Sequence, residues 1–257
     1  MKTKSSASML VVQNLVVLMK NKTILNGINA VAQSGDLLAI MGPSGSGKTT
    51  LLDTIAGRVQ ATSGQITLNG HCLNKQLRCR LGYVLQDDVF MSSLTLSETL
   101  HFTAMISIPE SVTWKDKQAR IVDIVNALDL TKCLNTVIGD FVVRGLSGGE
   151  RKRANIACEF LTDPDIMLID EPTSGLDSST AHKLMIQLKN YATQYNKTII
   201  ATIHQPSSQV YHMFSTLLLL MDGNVGYFGK ATEALDYFER IGYKCAQHFN
   251  PADFLCK

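Results

Sequence analysis

The sequence lacks the features that mark several common classes of protein. No apolar run approaches the ~20 residues that a membrane-spanning helix needs, and the N-terminus lacks the apolar stretch of a signal peptide. The 24 basic and 22 acidic residues nearly cancel, to a net charge of +2, so no nucleic-acid partner is expected. The six cysteines show no CxxC pair and no zinc spacing, which favours free thiols in a reducing compartment. We therefore expect a soluble chain, and its 257 residues, 45% of them hydrophobic, can bury a sizeable core.

The alternation of apolar runs and helical patterns predicts an α/β fold. Residues 9–33 alternate as short strands do, and we expect a hairpin turn at Asn26-Gly27. Later strands are apolar throughout, which is typical of a parallel sheet covered on both faces. The expected strands are Leu37–Met41, Gln65–Leu68, Gly82–Leu85, Ile166–Ile169, Thr198–Thr202 and Leu217–Met221, and the expected helices are Lys48–Arg58, Arg151–Leu161 and Ala181–Tyr195.

A helical insertion is expected between residues 89 and 160. From about residue 95 to 134 the apolar period is helical, and Pro109 should break the region into at least two helices. The apolar residues expected on one helix face are Ile121, Val122, Val125 and Leu128.

The segment GPSGSGKTT at Gly42–Thr50 has the composition of a phosphate-binding loop. It lies between a predicted strand and a predicted helix, which is the context that such a loop requires. Glycines let backbone N–H groups approach a triphosphate at a helix N-terminus, the lysine reaches the β- and γ-phosphates, and the next hydroxyl binds Mg²⁺. The candidate phosphate-binding residues are Gly42, Pro43, Ser44, Gly45, Ser46, Gly47, Lys48, Thr49 and Thr50, with Thr49 also a metal ligand.

Two carboxylates follow the apolar strand Ile166–Ile169. Side chains at the carboxyl end of a parallel strand face the ligand crevice, so Asp170 is a candidate metal ligand that acts through water. Glu171 points elsewhere, and it is the candidate general base for an attacking water. An Asp-Glu pair alone would more often be a solvated strand end, and the interpretation depends on the phosphate-binding loop.

Two further polar residues end predicted strands. Gln86 could both bind Mg²⁺ and sense the attacking water, although a lone Gln is usually a surface residue. His204 follows the strand Thr198–Thr202, where an imidazole could donate to the γ-phosphate. A histidine at a strand end would otherwise be structural.

The segment LSGGE at Leu146–Glu150 is similar to a second anion-binding nest. Ser147, Gly148 and Gly149 open a predicted helix, where N–H donors can face a phosphate. If this segment and the loop at Gly42–Thr49 flank opposite ends of the domain, one chain cannot place both on the same nucleotide. A second chain would then supply the Leu146–Glu150 segment to that nucleotide.

Together these segments resemble the nucleotide-binding domain of ATP-binding cassette (ABC) transporters, over essentially the whole chain. The resemblance implies a P-loop NTPase with a RecA-like parallel-sheet core, an N-terminal antiparallel β subdomain and a helical insertion. One domain, 1–257, would comprise a core at about 1–88 and 161–257 and a helical subdomain at about 89–160. The matching segments are the Walker A loop (Gly42–Thr49), Q-loop (Gln86), signature (Leu146–Glu150), Walker B strand (Ile166–Glu171), D-loop (Ser174–Asp177) and H-loop (His204).

Three further sequence segments resemble the G subfamily, the White-like half-transporters. The carrying segments are GERKRANIACEFLTDP after the signature, TIHQPSS around His204 and NPADF near the C-terminus. The resemblance implies an ATPase that uses ATP and Mg²⁺, binds nucleotide through Asp177 as well, and pairs with a second cassette. It also implies a membrane domain that this chain does not contain, with the cassette on the cytoplasmic face of a membrane. The transported substrate and the direction of transport stay open.

One departure from the family concerns the adenine base. ABC cassettes usually stack adenine on an aromatic residue ahead of the Walker A loop. The equivalent position lies near Val17, and no Phe, Tyr or Trp occurs between Met1 and Met41. We expect weak selectivity for adenine, or selectivity through apolar contact.

Two alternative functions follow from the same motifs. ABC ATPases of chromosome maintenance and translation would need a long heptad insertion or a second cassette, and neither is present. A non-catalytic cassette that pairs with full-length half-transporters and blocks them remains open.

Overall fold

The computed structural model describes residues 8–87, 89–140, 142–246 and 249–256. The strands are β1 (Met9–Met19), β2 (Lys22–Gln33), β3 (Leu37–Met41), β4 (Ser63–Leu68), β5 (His71–Cys72), β6 (Leu81–Val84), β7 (Ile166–Ile169), β8 (Thr198–Thr202), β9 (Thr216–Met221) and β10 (Asn224–Lys230). The helices are α1 (Lys48–Ala56), α2 (Lys75–Arg78), α3 (Leu96–Ser107), α4 (Trp114–Ala127), α5 (Gly148–Phe160), α6 (Ser178–Tyr195), α7 (Ser208–Tyr211), α8 (Ala234–Arg240) and α9 (Pro251–Leu255).

The central sheet has six strands in the order β10-β9-β3-β8-β7-β6. All neighbouring pairs are parallel except β10 and β9, which are antiparallel. The predicted parallel sheet is therefore confirmed, with an antiparallel edge strand that was not predicted. Because the carboxyl ends of β3, β6, β7 and β8 lie at one edge, the loops that follow these strands meet there.

A hydrophobic core covers each face of this sheet. Residues of β3 alternate between the two cores: Ala39 and Met41 pack on one face, and Leu38 and Ile40 on the other. Successive strand side chains point to opposite faces, and both faces are covered, so the whole strand is apolar.

The N-terminal sheet is antiparallel, as predicted, in the order β2-β1-β4-β5. Its first hairpin turns at Lys20 and Asn21, which have φ of 48° and 62°, and Met19 pairs with Lys22. A two-residue turn of this hand matches the twist of the strands. The turn predicted at Asn26-Gly27 is wrong, because that pair lies within β2.

The predicted helices exist, with shifted ends. Between α3 and α4 the chain breaks at Pro109, as expected. In α4 and just after it, Ile121, Val125 and Leu128 are buried, but Val122 is 56% exposed, which corrects its predicted place. Neighbouring helix positions are about 100° apart, so Val122 points away from Ile121.

The C-terminal part adds β10, α8 and α9, none of which was predicted. The turn from β9 to β10 uses Asp222 and Gly223, at φ of 47° and 76°. The six cysteines are free thiols. In the described part of the chain, no helix has both the length and the apolar character needed to cross a bilayer.

Candidate nucleotide-binding site

The Gly42–Gly47 loop connects β3 to α1 through a backbone path that requires glycine. Gly42 has φ of 147°, and a Cβ there would collide with the Leu220 carbonyl oxygen. Gly47 is the N-cap of α1 in the left-handed region, at φ of 100°, and no side chain among the described residues caps this helix. The N–H groups at the start of α1 are therefore available to an anion.

Lys48 lies across this loop. Its Nζ donates to the carbonyl oxygens of Gly42 and Pro43, each at 2.9 Å, and the residue is only 7% exposed. Burial lowers the pKa of Lys48, and the negative charge of Glu171 opposes that shift. The loop thus holds a cation where phosphate oxygens would lie.

Other residues of the loop differ in exposure. Ser46 Oγ is buried and makes no hydrogen bond to any described residue, so it is a donor that a phosphate oxygen could satisfy. Ser44 and Gly45 form the exposed tip, and Thr50 accepts from Thr54 Oγ1 within α1. The glycine path, the uncapped helix and the orphaned hydroxyl all fit a triphosphate.

Asp170 lies at the carboxyl end of β7 and is 5% exposed. Its Oδ1 accepts from Thr202 Oγ1 at 2.5 Å and from Thr49 Oγ1 at 3.3 Å. The structure therefore brings two of the three predicted metal ligands, Thr49 and Asp170, into contact. Thr202 was not predicted, although its place at the end of the apolar strand β8 is the same signal that identified Asp170.

Glu171 has a strained backbone, with φ of 45°, in the left-handed region that side chains other than glycine rarely occupy. Its N–H donates to Thr202 Oγ1 at 2.9 Å, and its Oε2 accepts from Gln86 Nε2 at 3.1 Å. Thr202 thus holds both carboxylate residues, and Gln86 reaches the candidate base from the next strand.

His204 and Val17 are placed differently from these residues. His204 is exposed at the same sheet edge, and its ring makes no hydrogen bond within the described part of the chain. Val17 is fully buried, so its side chain cannot stack on a base from outside.

A separate pocket of about 330 Å³ is lined by Ser147, Gly148, Gly149 and Asp177. No residue from 42 to 50 is among its described lining residues. The Ser147 hydroxyl caps α5 together with Glu150, and hydrogen bonds from the cap lower the pKa of Glu150. Asp177 caps α6 by accepting from the backbone of Thr180. The predicted signature residues and Asp177 of the predicted D-loop therefore line one pocket, apart from the Gly42–Gly47 loop.

The donors available to a metal ion are few. No group of three or more His, Cys, Asp or Glu side chains converges in the described residues. Thr49, Gln86 and Asp170 offer a hydroxyl, an amide and one carboxylate. Such a set suits Mg²⁺, which is usually held by one or two carboxylates together with water and substrate phosphates.

The C-terminal helix α9 also reaches the loops of this edge. Asn250 Nδ2 donates to the Pro206 carbonyl oxygen at 2.9 Å, just after His204. Burial raises the pKa of the Cys256 thiol, and the Gly42 backbone and Lys48 oppose that shift. No sequence signal pointed to these contacts, because they join segments far apart in the chain.

Comparison with known proteins gives consistent matches. A family model described as ABC transporter matches residues 25–174, and one described as ABC-2 type transporter matches residues 204–257. ABC transporter G family member 22 of Arabidopsis thaliana is 48% identical over 91% of this chain and 31% of its own length. The Drosophila melanogaster protein white is 46% identical (91% and 34%), and the Sus scrofa broad substrate specificity ATP-binding cassette transporter ABCG2 is 45% identical (91% and 36%). The chain thus spans about a third of these relatives.

Solved structures share the fold. The cbiO1 subunit from Clostridium perfringens superposes with a TM-score of 0.77 at 24% identity, covering 90% of this chain and 92% of that one. The ADP conformation of an ATP-binding cassette of an ABC transporter gives a TM-score of 0.77 at 21% identity, covering 91% of this chain and 99% of that one. These similarities confirm the predicted fold class.

Proposed function

Because the chain belongs to the ABC transporter family, with relatives in its G subfamily, we propose that it is the ATP-hydrolysing cassette of a half-transporter. Cassettes of this family are ATPases coupled to transport. Two such cassettes would close on two ATP molecules, and hydrolysis would reopen them to drive transport by a membrane domain.

The observation that carries this proposal is the hydrogen-bonded network beside the Gly42–Gly47 loop. Thr49, Asp170, Thr202, Glu171 and Gln86 are joined in one chain of contacts at the carboxyl ends of β6, β7 and β8. Such a network holds a metal-binding face and a base in fixed relation, which is what phosphoryl transfer requires.

Each residue then has a distinct task in hydrolysis. Lys48 supplies positive charge to the β- and γ-phosphates, and Glu171 takes a proton from the attacking water. His204 donates to a γ-phosphate oxygen. Mg²⁺, when bound, would neutralise phosphate charge, and Thr49, Gln86 and Asp170 would hold it.

The signature residues and Asp177 of the D-loop require a partner chain in this scheme. Ser147, Gly148, Gly149 and Asp177 line a pocket of their own, without any residue of 42–50 among its described lining. We assign them to the nucleotide held by a second cassette. The specific activity of the 257-residue chain should therefore rise with protein concentration, because each site needs two copies to meet.

The decisive experiment uses Glu171→Gln. This change removes the base and a negative charge while keeping the size of the side chain, so the variant should bind ATP, lose hydrolysis roughly 100-fold or more, and accumulate as a dimer in saturating ATP. Light scattering and phosphate release measure the two effects. The control is Glu110→Gln, an exposed glutamate between α3 and α4.

Two outcomes would contradict the scheme. A Glu171→Gln protein that remains monomeric, with wild-type activity independent of concentration, would rule out the shared site. A chain that binds full-length half-transporters yet stays inactive would instead be a blocking partner.

The segment 86–96, which leads into the helical subdomain at about 89–160, is the proposed dock for the membrane domain at the cytoplasmic face. Val89 and Met91 are 82% and 62% exposed, whereas Phe90 packs against the core. Only part of this segment is therefore open to a partner. Cross-links in a full-length transporter that map the membrane contact elsewhere would overturn this proposal.

A further inference from the structure

Gln86 follows β6, an edge strand of the central sheet. Only β7 pairs with β6 among the described residues, and β6 itself is four residues long. The Gln86 side chain is exposed, and it reaches Glu171 across the gap between two strand ends. Contacts from outside the sheet must therefore fix where this amide lies.

Lys152 supplies such a contact from α5. Its Nζ donates to the Gln86 carbonyl oxygen at 2.7 Å and to the Leu85 carbonyl oxygen at 3.5 Å, and the residue is 4% exposed. Burying an ammonium group is costly unless its donors are satisfied. The Lys152 side chain is therefore held at the backbone of Gln86. Lys152 itself lies in α5, the helix whose N-cap is Ser147.

Glu159 of α5 contacts the strand β6 that precedes Gln86. It lies two turns after Lys152, on the same side of α5. Its Oε2 accepts from the Tyr83 backbone N–H at 3.4 Å. Burial raises the pKa of Glu159, and the hydrogen bond from the Tyr83 N–H and the charge of Arg58 oppose that shift.

The helix α1 holds the same strand through Tyr83. The Tyr83 hydroxyl donates to Asp53 Oδ1 at 2.9 Å, and the Arg58 guanidinium lies 4.0 Å from the ring centroid. The strand β6, which precedes Gln86, is therefore held between two helices. One begins at the Gly42–Gly47 loop, and the other begins at the signature residues.

We propose that Lys152 is a positioning residue that sets the place of Gln86 beside Glu171. A displacement of α5 when a second cassette engages Ser147–Gly149 would be transmitted through the Lys152 ammonium group to the Gln86 backbone. The inference rests on the proposed function, in which Gln86 acts in hydrolysis.

The first test compares two buried lysines. Lys152→Met should lower kcat about 10-fold with little change in KM for ATP, and should speed hydrogen exchange at amides 85–87. Lys117→Met is the matched control: Lys117 in α4 is 5% exposed, and its Nζ donates to the Ile108 carbonyl oxygen at 2.8 Å. Lys152→Arg keeps a donor and should restore most of kcat.

The second test separates this inference from the proposed function. Gln86→Ala should itself lower kcat, and adding Lys152→Met should then lower it less than about 2-fold further. Full additivity, or equal losses in Lys152→Met and Lys117→Met, would overturn the positioning role while leaving the proposed function intact. Wild-type kcat in Gln86→Ala would overturn the role of Gln86 and the inference with it.

Discussion

Two helices of this chain begin at turns rich in glycine and serine, yet their N-termini differ in construction. The helix α1 follows Gly47, whose backbone is in the left-handed region, and carries no side-chain cap from the described residues. Its first residue is the buried Lys48. The start of α5 is capped by Ser147 and Glu150, with neither Gly148 nor Gly149 at positive φ. The N-terminus of α1 can form an anion site within one chain, whereas the N-terminus of α5 is already capped by its own side chains.

The difference lies in how the first N–H donors of each helix are used. At α1 the donors are uncapped and a lysine accompanies them, so the loop can bind an anion unaided. At α5 the capping box already uses the N–H of Glu150. A phosphate at α5 would therefore meet one free N–H donor fewer than a phosphate at α1, which agrees with the shared site proposed above.

The largest expected effect is at the α1 end. Lys48→Ala removes the charged donor from the loop, so the affinity of the monomer for Mg²⁺-ATP should fall by about 3 kcal/mol, roughly 100-fold. Isothermal titration at low protein concentration measures it, with Lys189→Ala on the exposed side of α6 as the control. Wild-type affinity in Lys48→Ala would refute the assignment of the phosphate-binding loop.

A methyl group on the α5 surface should have a different effect. In Gly148→Ala the new Cβ meets only Leu176 Cδ2 at 4.0 Å within the described chain, so the fold should tolerate it. The methyl group would stand where the partner's phosphate arrives, and hydrolysis at high protein concentration should fall about 10-fold. Monomer affinity measured by titration should not change; a parallel loss of affinity would contradict the comparison.

The cap itself offers a smaller, matched test. Ser147→Ala and Thr95→Ala each remove the hydroxyl of a capping box, in α5 and α3 respectively. Each should lower the free energy of unfolding by about 1 kcal/mol in a denaturant titration. Only Ser147→Ala should also impair hydrolysis, and equal impairment by Thr95→Ala would show that stability alone is responsible.

The smallest effect concerns pH. The Ser147 cap lowers the pKa of Glu150, so its contribution to stability is present above the ordinary glutamate pKa and is lost as pH falls through the lowered pKa. Glu150→Gln should remove this part of the acid dependence of thermal unfolding. An unchanged acid dependence in the variant would show that the Glu150 carboxylate adds nothing to the cap.

Local patterns predicted the parts of the molecule that are contiguous in sequence. The apolar run Leu37–Met41, the loop after it and the strand before Asp170 were each identified from a few neighbouring residues. The turn at Asn26-Gly27 was wrong because the strand register, set by long-range pairing, placed the turn at Lys20-Asn21 instead.

Contacts between distant segments could not be predicted in the same way. Thr202 meets Asp170 across 32 residues, and Lys152 meets Gln86 across 66. A buried lysine in a helix gives no local sign of its acceptor, because packing of α5 against β6 creates it. The roles of the candidate site residues remain predictions until the variants above are measured.

The left-handed backbone of Glu171 has a consequence for anyone who engineers this chain. Holding a glutamate at φ of 45° costs on the order of 1 kcal/mol relative to a residue suited to that region. Replacement by glycine or asparagine would relieve that cost and also remove the candidate base. A library screened for thermostability alone would therefore enrich inactive proteins at this position, so selection must include turnover.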